Sequence, residues 1–197
     1  MKRGIFIVFE GPDGAGTTYH SEALSNRLRK LGRDVILTRE PTEGEFGKKV
    51  RNVLTEGTYE SPADLQRLFC DDRAEHVERV IEPAIRAGKI IVCDRYVPST
   101  LIYGEASGVP LLSLMRWNEG FPKPDYLFVL LPPPEVALER LLQRASNDPF
   151  EKDHFQRCVY AGYERYVREH FGVTVIDTSG TKEEAEERVW EKVKELF

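Results

Sequence analysis

Three groups of residues in this chain are suited to act on phosphate, on a metal ion or on a flat ring. The first is Glu10-Gly11-Pro12-Asp13-Gly14-Ala15-Gly16-Thr17-Thr18. Gly11 and Gly16 take the two glycine positions of a G-x-x-x-x-G-K-[ST] loop, and Gly14 loosens the turn between them. In such a loop, backbone N–H groups and the positive end of the following helix surround a polyphosphate. The Thr18 hydroxyl then stands where a magnesium ion bridging two phosphates takes a ligand. Thr17 occupies the lysine position, so the loop has no formal positive charge of its own and the neutralising charge must come from elsewhere. A plain strand-to-helix turn is the alternative, but glycines at 11, 14 and 16 directly before a helix argue against it.

The second group is Asp94-Arg95, at the end of the apolar run Ile90-Ile91-Val92-Cys93. Asp94 suits a magnesium ion held through water and Arg95 suits a phosphate; a salt bridge at a strand end fits the dipeptide equally well. Its place two strands after the glycine loop favours the first reading. The third group lies on one helix, where Phe69 and Arg73 share a face four residues apart. A ring beside a guanidinium can stack on and hydrogen-bond a base, although Phe69 alone reads as core.

The elements that must position these groups alternate regularly. Strands are expected at 5–9, 34–38, 89–93, 125–131 and 172–176, mostly apolar throughout. Helices are expected at 18–30, 44–54, 62–87 with a kink or break at Pro83, 110–118, 134–144, 153–170 and 181–197. Apolar strands alternating with helices mean a parallel sheet covered on both faces, with ligands beyond the strand C-termini. The polar groups above sit at just those ends. The expected architecture is a three-layer nucleotide-binding α/β fold with five parallel strands.

Composition narrows the partners. The 197 residues suit one domain, spanning 1–197, and no stretch is apolar for long enough to span a membrane. A net charge of −5 argues against nucleic acid as a partner. Cys70, Cys93 and Cys158 lack metal-binding spacing and read as residues of a reducing compartment. Met1 to Gly4 run straight into the first strand, which leaves no room for a signal peptide and points to the cytoplasm. The 31% of charged residues lean towards a heat-adapted protein. His20, His76, His154 and His170 form no catalytic set.

Taken in order, these pieces resemble the thymidylate kinases, the dTMP-phosphorylating branch of the P-loop nucleoside monophosphate kinases. The resemblance covers essentially the whole chain. It rests on Phe9 to Gly16, Thr38-Arg39-Glu40-Pro41, Leu68-Phe69 with Asp72 to His76, Asp94-Arg95-Tyr96 with Ser99 and Tyr103, Pro133 to Arg140, and Ile176-Asp177. It implies a P-loop NTP hydrolase fold, ATP and Mg²⁺ as cofactors, dTMP as acceptor and a homodimer formed through helices beside the acceptor site. By the same likeness, the Gly11 to Thr18 loop (Gly11, Pro12, Asp13, Gly14, Ala15, Gly16, Thr17, Thr18) binds ATP. Thr18 and Asp94 serve the metal, and Asp13 lies near the acceptor's sugar and phosphate. Arg95 binds the acceptor phosphate with Arg39 and Arg51 as helpers. Phe69 stacks on thymine, Arg73 hydrogen-bonds its edge, and Ser99 and Tyr103 line the same pocket. Residues 177–180 pass near the adenine.

Family members with glycine at the Gly14 position place their catalytic basic residue in a lid, here about 144–152, where Arg144 matches a family arginine. Ser146 and Pro149 replace frequent lid arginines, Gly104 a frequent pocket glutamine, and Leu131 a frequent strand-end aspartate. With Thr17, these departures leave a weakened or retired nucleotide-binding homologue, or a kinase for another monophosphate, as the alternatives. Arg140, Arg144, Lys152 and Arg95 are the candidates for the missing charge.

Overall fold

The computed structural model describes residues 3–143 and 149–196. Its centre is a five-stranded sheet of β1 (Ile5–Glu10), β2 (Val35–Arg39), β3 (Ile90–Asp94), β4 (Tyr126–Leu130) and β5 (Val173–Ile176), in the order β2-β3-β1-β4-β5. Every pairing is parallel. The strands are short and apolar because both faces are covered. On one face Ile7, Phe9, Val92 and Phe128 pack against Leu24 and Leu28 of α1 (Thr17–Lys30) and Val189 of α9 (Lys182–Val193). On the other, Phe6, Val8, Ile91 and Cys93 pack against Val77, Ile81 and Ala84.

Register matters more for function than the layers do. Phe9 of β1 pairs with Asp94 of β3, and Asp94 pairs with Arg39 of β2. The three strands therefore end level, and the segments that leave them share one edge of the sheet.

The remaining helices are α2 (Glu45–Glu56), α3 (Pro62–His76), α4 (Glu82–Arg86), α5 (Val97–Ala106), α6 (Leu111–Trp117), α7 (Pro134–Leu142) and α8 (Pro149–Glu169). The expected break at Pro83 takes the form of a π-turn over Val77–Ile81, after which the helix continues as α4. Proline has no N–H to donate, and the wider turn just before it takes up the change in the hydrogen-bond ladder. Helix α5 was not expected from sequence. Pro98 in its first turn is a start signal, but the helix follows the end of β3 at Asp94 after only two residues and has no polar face.

Two caps hold the outer helices. Ser61 caps α3, its hydroxyl accepting from Asp64 N–H at 3.2 Å. At α9, Thr181 Oγ1 accepts from Glu184 N–H at 3.2 Å while Glu184 Oε2 accepts from Thr181 N–H at 2.9 Å. Thr181→Ala should lower unfolding stability by about 1 kcal/mol in denaturant titrations. An unchanged midpoint would show that α9 is held by its packing on α1 alone.

Candidate active site

The glycine loop leaves β1 and enters α1 at Gly16, whose φ of 88° is left-handed. Among the described residues no side chain caps α1, and its first turn contains no acidic residue, so its positive end stays open for an anion. Gly14 has a φ of +86°, and a Cβ there would fall 2.2 Å from Ala137 O. Only glycine lets α7 approach the loop this closely.

Thr18 Oγ1 donates to Asp94 Oδ2 at 2.5 Å. The other carboxylate oxygen, Oδ1, is buried and, among the described residues, has no hydrogen-bond partner. A buried anionic oxygen left bare beside a hydroxyl suits a hydrated divalent cation, so the donor set fits magnesium. The pair lines a cavity of about 550 Å³ with Thr38, Arg39, Glu43 and His76.

Arg95 follows Asp94 directly and turns its side chain onto the loop. Its φ of 69° is left-handed, a strained conformation for a residue with a side chain. The backbone is held there by Arg95 N–H donating to Phe9 O at 2.8 Å. The guanidinium donates to Gly11 O at 3.0 Å, to Ser99 Oγ at 3.2 Å and to Asp13 Oδ1 at 2.7 Å. Gln156 of α8 donates to Asp13 Oδ2 at 2.9 Å, which ties the carboxylate from its second side. Tyr103 places its ring 5.3 Å from the Arg95 guanidinium carbon. Burial and Arg95 act on its phenol in opposite senses, and burial prevails, holding the pKa above its usual value.

Beneath Arg95 lies Glu10, fully buried. Its Oε1 accepts from Tyr96 N–H at 2.7 Å and Ser99 N–H at 3.2 Å; Oε2 accepts from Ser99 Oγ and Tyr163 Oη, each at 2.7 Å. Burial pushes its pKa up, while Arg95 and the donors pull it back. Glu10 and Tyr163 were not assigned roles from sequence. The glutamate is followed at once by the first loop glycine, and that position was the available signal.

Arg73 is buried on α3. It donates through Nε to Glu40 Oε2 at 2.9 Å, through Nη2 to Thr100 Oγ1 at 3.0 Å and through Nη1 to Asn118 Oδ1. Glu40 Oε1 in turn meets His76 Nδ1 at 3.0 Å. Phe69 is half-buried one turn away. Arg39 is exposed and paired with Glu43, and Arg51 bonds the carbonyls of Pro41 and Thr42 as well as Glu43. Arg144 and residues 144–148 of the expected lid lie outside the described residues. Beside Gly104, where sequence left room for another base, Leu114 and Gln66 fill the space.

Arg140 on α7 approaches the loop from the opposite side to Arg95, donating to Thr178 O at 2.9 Å and towards Gly14 O at 3.5 Å. The loop's open helix end, the Thr18–Asp94 pair and the two arginines thus have the chemistry to take a phosphate and a metal ion.

The model of the family described as "Thymidylate kinase" matches residues 9–189. The chain belongs to the thymidylate kinase family. It is 36% identical over 198 residues to a probable thymidylate kinase of Pyrococcus abyssi, covering 98% of this chain and 97% of that one. It is 34% identical over 202 residues to the thymidylate kinase of Caldicellulosiruptor saccharolyticus, covering 99% and 98%. To the thymidylate kinase of Xanthomonas campestris pv. campestris strain B100 it is 40% identical over 157 residues, covering 79% and 69%.

His20, one turn into α1 beneath Gly16, gives this site a pH signature. Burial pushes its pKa from the ordinary 6.5 down to about 4; Glu186 opposes this, and Arg140 and Arg188 add to it. A depressed pKa favours folding above 6.5, and that contribution is lost as pH falls through about 4. The melting temperature should therefore decline over that window, and His20→Phe should decline less. Parallel melting curves across the window for both proteins would refute the assignment.

Proposed function

We propose that this chain transfers the γ-phosphoryl group of ATP to dTMP, giving ADP and dTDP. An oxygen of the acceptor phosphate attacks the γ-phosphorus as the bond to the β–γ bridging oxygen breaks. The observation that carries the reading is the joint placement, at one sheet edge, of the open loop, the Thr18–Asp94 pair and Arg95. Phosphoryl transfer depends on positioning and charge neutralisation more than on covalent help, and these residues are of the kind that provide both.

The α1 N-terminus and the loop amides hold the donor phosphates. Thr18 and Asp94 would hold a magnesium ion, which when bound supplies charge neutralisation between the phosphates. Arg95, oriented by Asp13 and steadied from below through Ser99, grips the acceptor phosphate. Arg73, Phe69 and Tyr103 form the walls for the base and sugar, with Arg39 and Arg51 at the rim. The charge missing at Thr17 comes from Arg95 and Arg140, which reach the loop from its two sides. A two-chain assembly belongs to this reading. Leu112 and Met115 of α6 are 60% and 52% exposed, and a second copy is the occupant proposed for that face. Unpaired Cys70, Cys93 and Cys158 fit the reducing cytoplasm.

The test is ADP release with ATP and magnesium across a panel of monophosphates. dTMP should be the preferred acceptor, and no release above background with any member would end the reading. Within the same assay, Arg95→Ala should raise the KM for dTMP by about tenfold or more and leave that for ATP nearly unchanged. Equal losses for both substrates would put this arginine on the wrong phosphate.

A further inference from the structure

The segment after β5 meets the phosphate loop through a buried hydroxyl. Thr178 is 1% exposed, and its Oγ1 donates to Ala15 O at 2.7 Å across 163 residues. The turn that presents this hydroxyl is fastened from two helices. Arg140 of α7 donates to Thr178 O at 2.9 Å, and Arg188 of α9 donates to Asp177 O at 2.8 Å and also to Ser179 O. Asp177 Oδ1 accepts from Ser179 N–H at 2.7 Å and closes the turn on itself.

A peptide unit is planar and trans, so an oxygen drawn one way sends the N–H of the next residue the other way. Side chains hold the loop carbonyls of Gly11, Gly14 and Ala15, through Arg95, Arg140 and Thr178 in turn. After Gly11 comes Pro12, which has no N–H; after Gly14 comes Ala15, whose N–H is spent on Pro12 O at 3.1 Å. Gly16 N–H differs, because among the described residues it has no backbone acceptor. It sits at the N-cap of α1 and points away from Thr178. Rotation of this peptide is otherwise easy. Gly16 has no Cβ and either sign of φ is open to it, so the glycine that permits the turn also permits the peptide to flip. A flipped peptide would present the Ala15 oxygen to an anion in place of an N–H.

We infer that Thr178 is a positioning residue for the donor phosphates, its hydroxyl locking the Ala15–Gly16 peptide with Gly16 N–H turned towards them. The inference rests on the donor site proposed above and deepens it. Thr178 acts through the backbone it holds and needs no contact with the nucleotide. In a loop without lysine a correctly aimed amide counts for more, since fewer fixed charges make up for a lost donor.

Calorimetric titration of magnesium–ADP and of dTMP into wild type, Thr178→Val and Thr178→Ser tests this. Valine keeps the shape without the hydroxyl; serine keeps the hydroxyl without the methyl. Thr178→Val should bind ADP about fivefold or more weakly with dTMP affinity level, and Thr178→Ser should match wild type for both. In amide NMR spectra the Gly16 proton signal should shift when ADP binds wild type and shift less in Thr178→Val. A hydroxyl that only stabilises the turn would lower the melting temperature of Thr178→Val and leave ADP affinity and the Gly16 signal as in wild type. That result overturns the inference. So does an equal loss of ADP and dTMP affinity, or a serine that fails to restore binding. Thr178→Ala, with the same expectation, serves as the second variant if valine does not fold. Wild type that binds no ADP removes the donor site and this inference together. The kinase reading fails separately, by absence of ADP release from a protein that still binds ADP through Thr178.

Discussion

The fastening of Arg95 to the phosphate loop is the interaction on which the rest of the site depends. It begins in the sheet, where Phe9 and Asp94 are paired, and Arg95 N–H closes on Phe9 O at 2.8 Å just beyond. That bond holds the backbone in a left-handed turn and directs the guanidinium back over Gly11 and Asp13. A slip of one residue between β1 and β3 would turn Asp94 away from Thr18 and leave Arg95 facing the wrong layer. Glu10 secures the arrangement from below, with four donors around one buried carboxylate.

Electrostatically the loop is unusual because Thr17 is neutral and nearly buried. The positive charge nearby is carried by side chains rooted elsewhere: Arg95 after β3 and Arg140 on α7. Burial is the main cause of the depressed pKa of His20, and Arg140 and Arg188 add to it against Glu186. A lysine in the loop moves with the loop. In the proposed reading, arginines on separate elements would tie phosphate binding to the positions of β3 and α7 instead, so that their packing would bear on transfer.

Much of this was legible in the chain because it is local. Ile5 to Thr18 specify strand, glycine turn and helix within one short segment, and Ile90 to Arg95 end a buried strand on charge. Parallel topology followed from apolar strands alternating with helices. What sequence did not disclose depends on contacts between distant segments. Tyr163 reaches Glu10 across 153 residues, and Gln156 reaches Asp13 across 143. No periodicity encodes such meetings. Helix α5 was missed because it is short and buried on nearly every side, so it shows no amphipathic stripe. The glycine at 104 was legible as a missing side chain, but the neighbours that fill its space came only from the packing of three helices.

The central claim is that arginines outside the loop replace the lysine absent at Thr17. Single-turnover phosphoryl transfer to dTMP in a cycle of Thr17→Lys and Arg140→Met tests it directly. Arg140→Met should slow transfer by about a hundredfold in the native loop and by less than about tenfold once the lysine is present. The same loss in both backgrounds would contradict it.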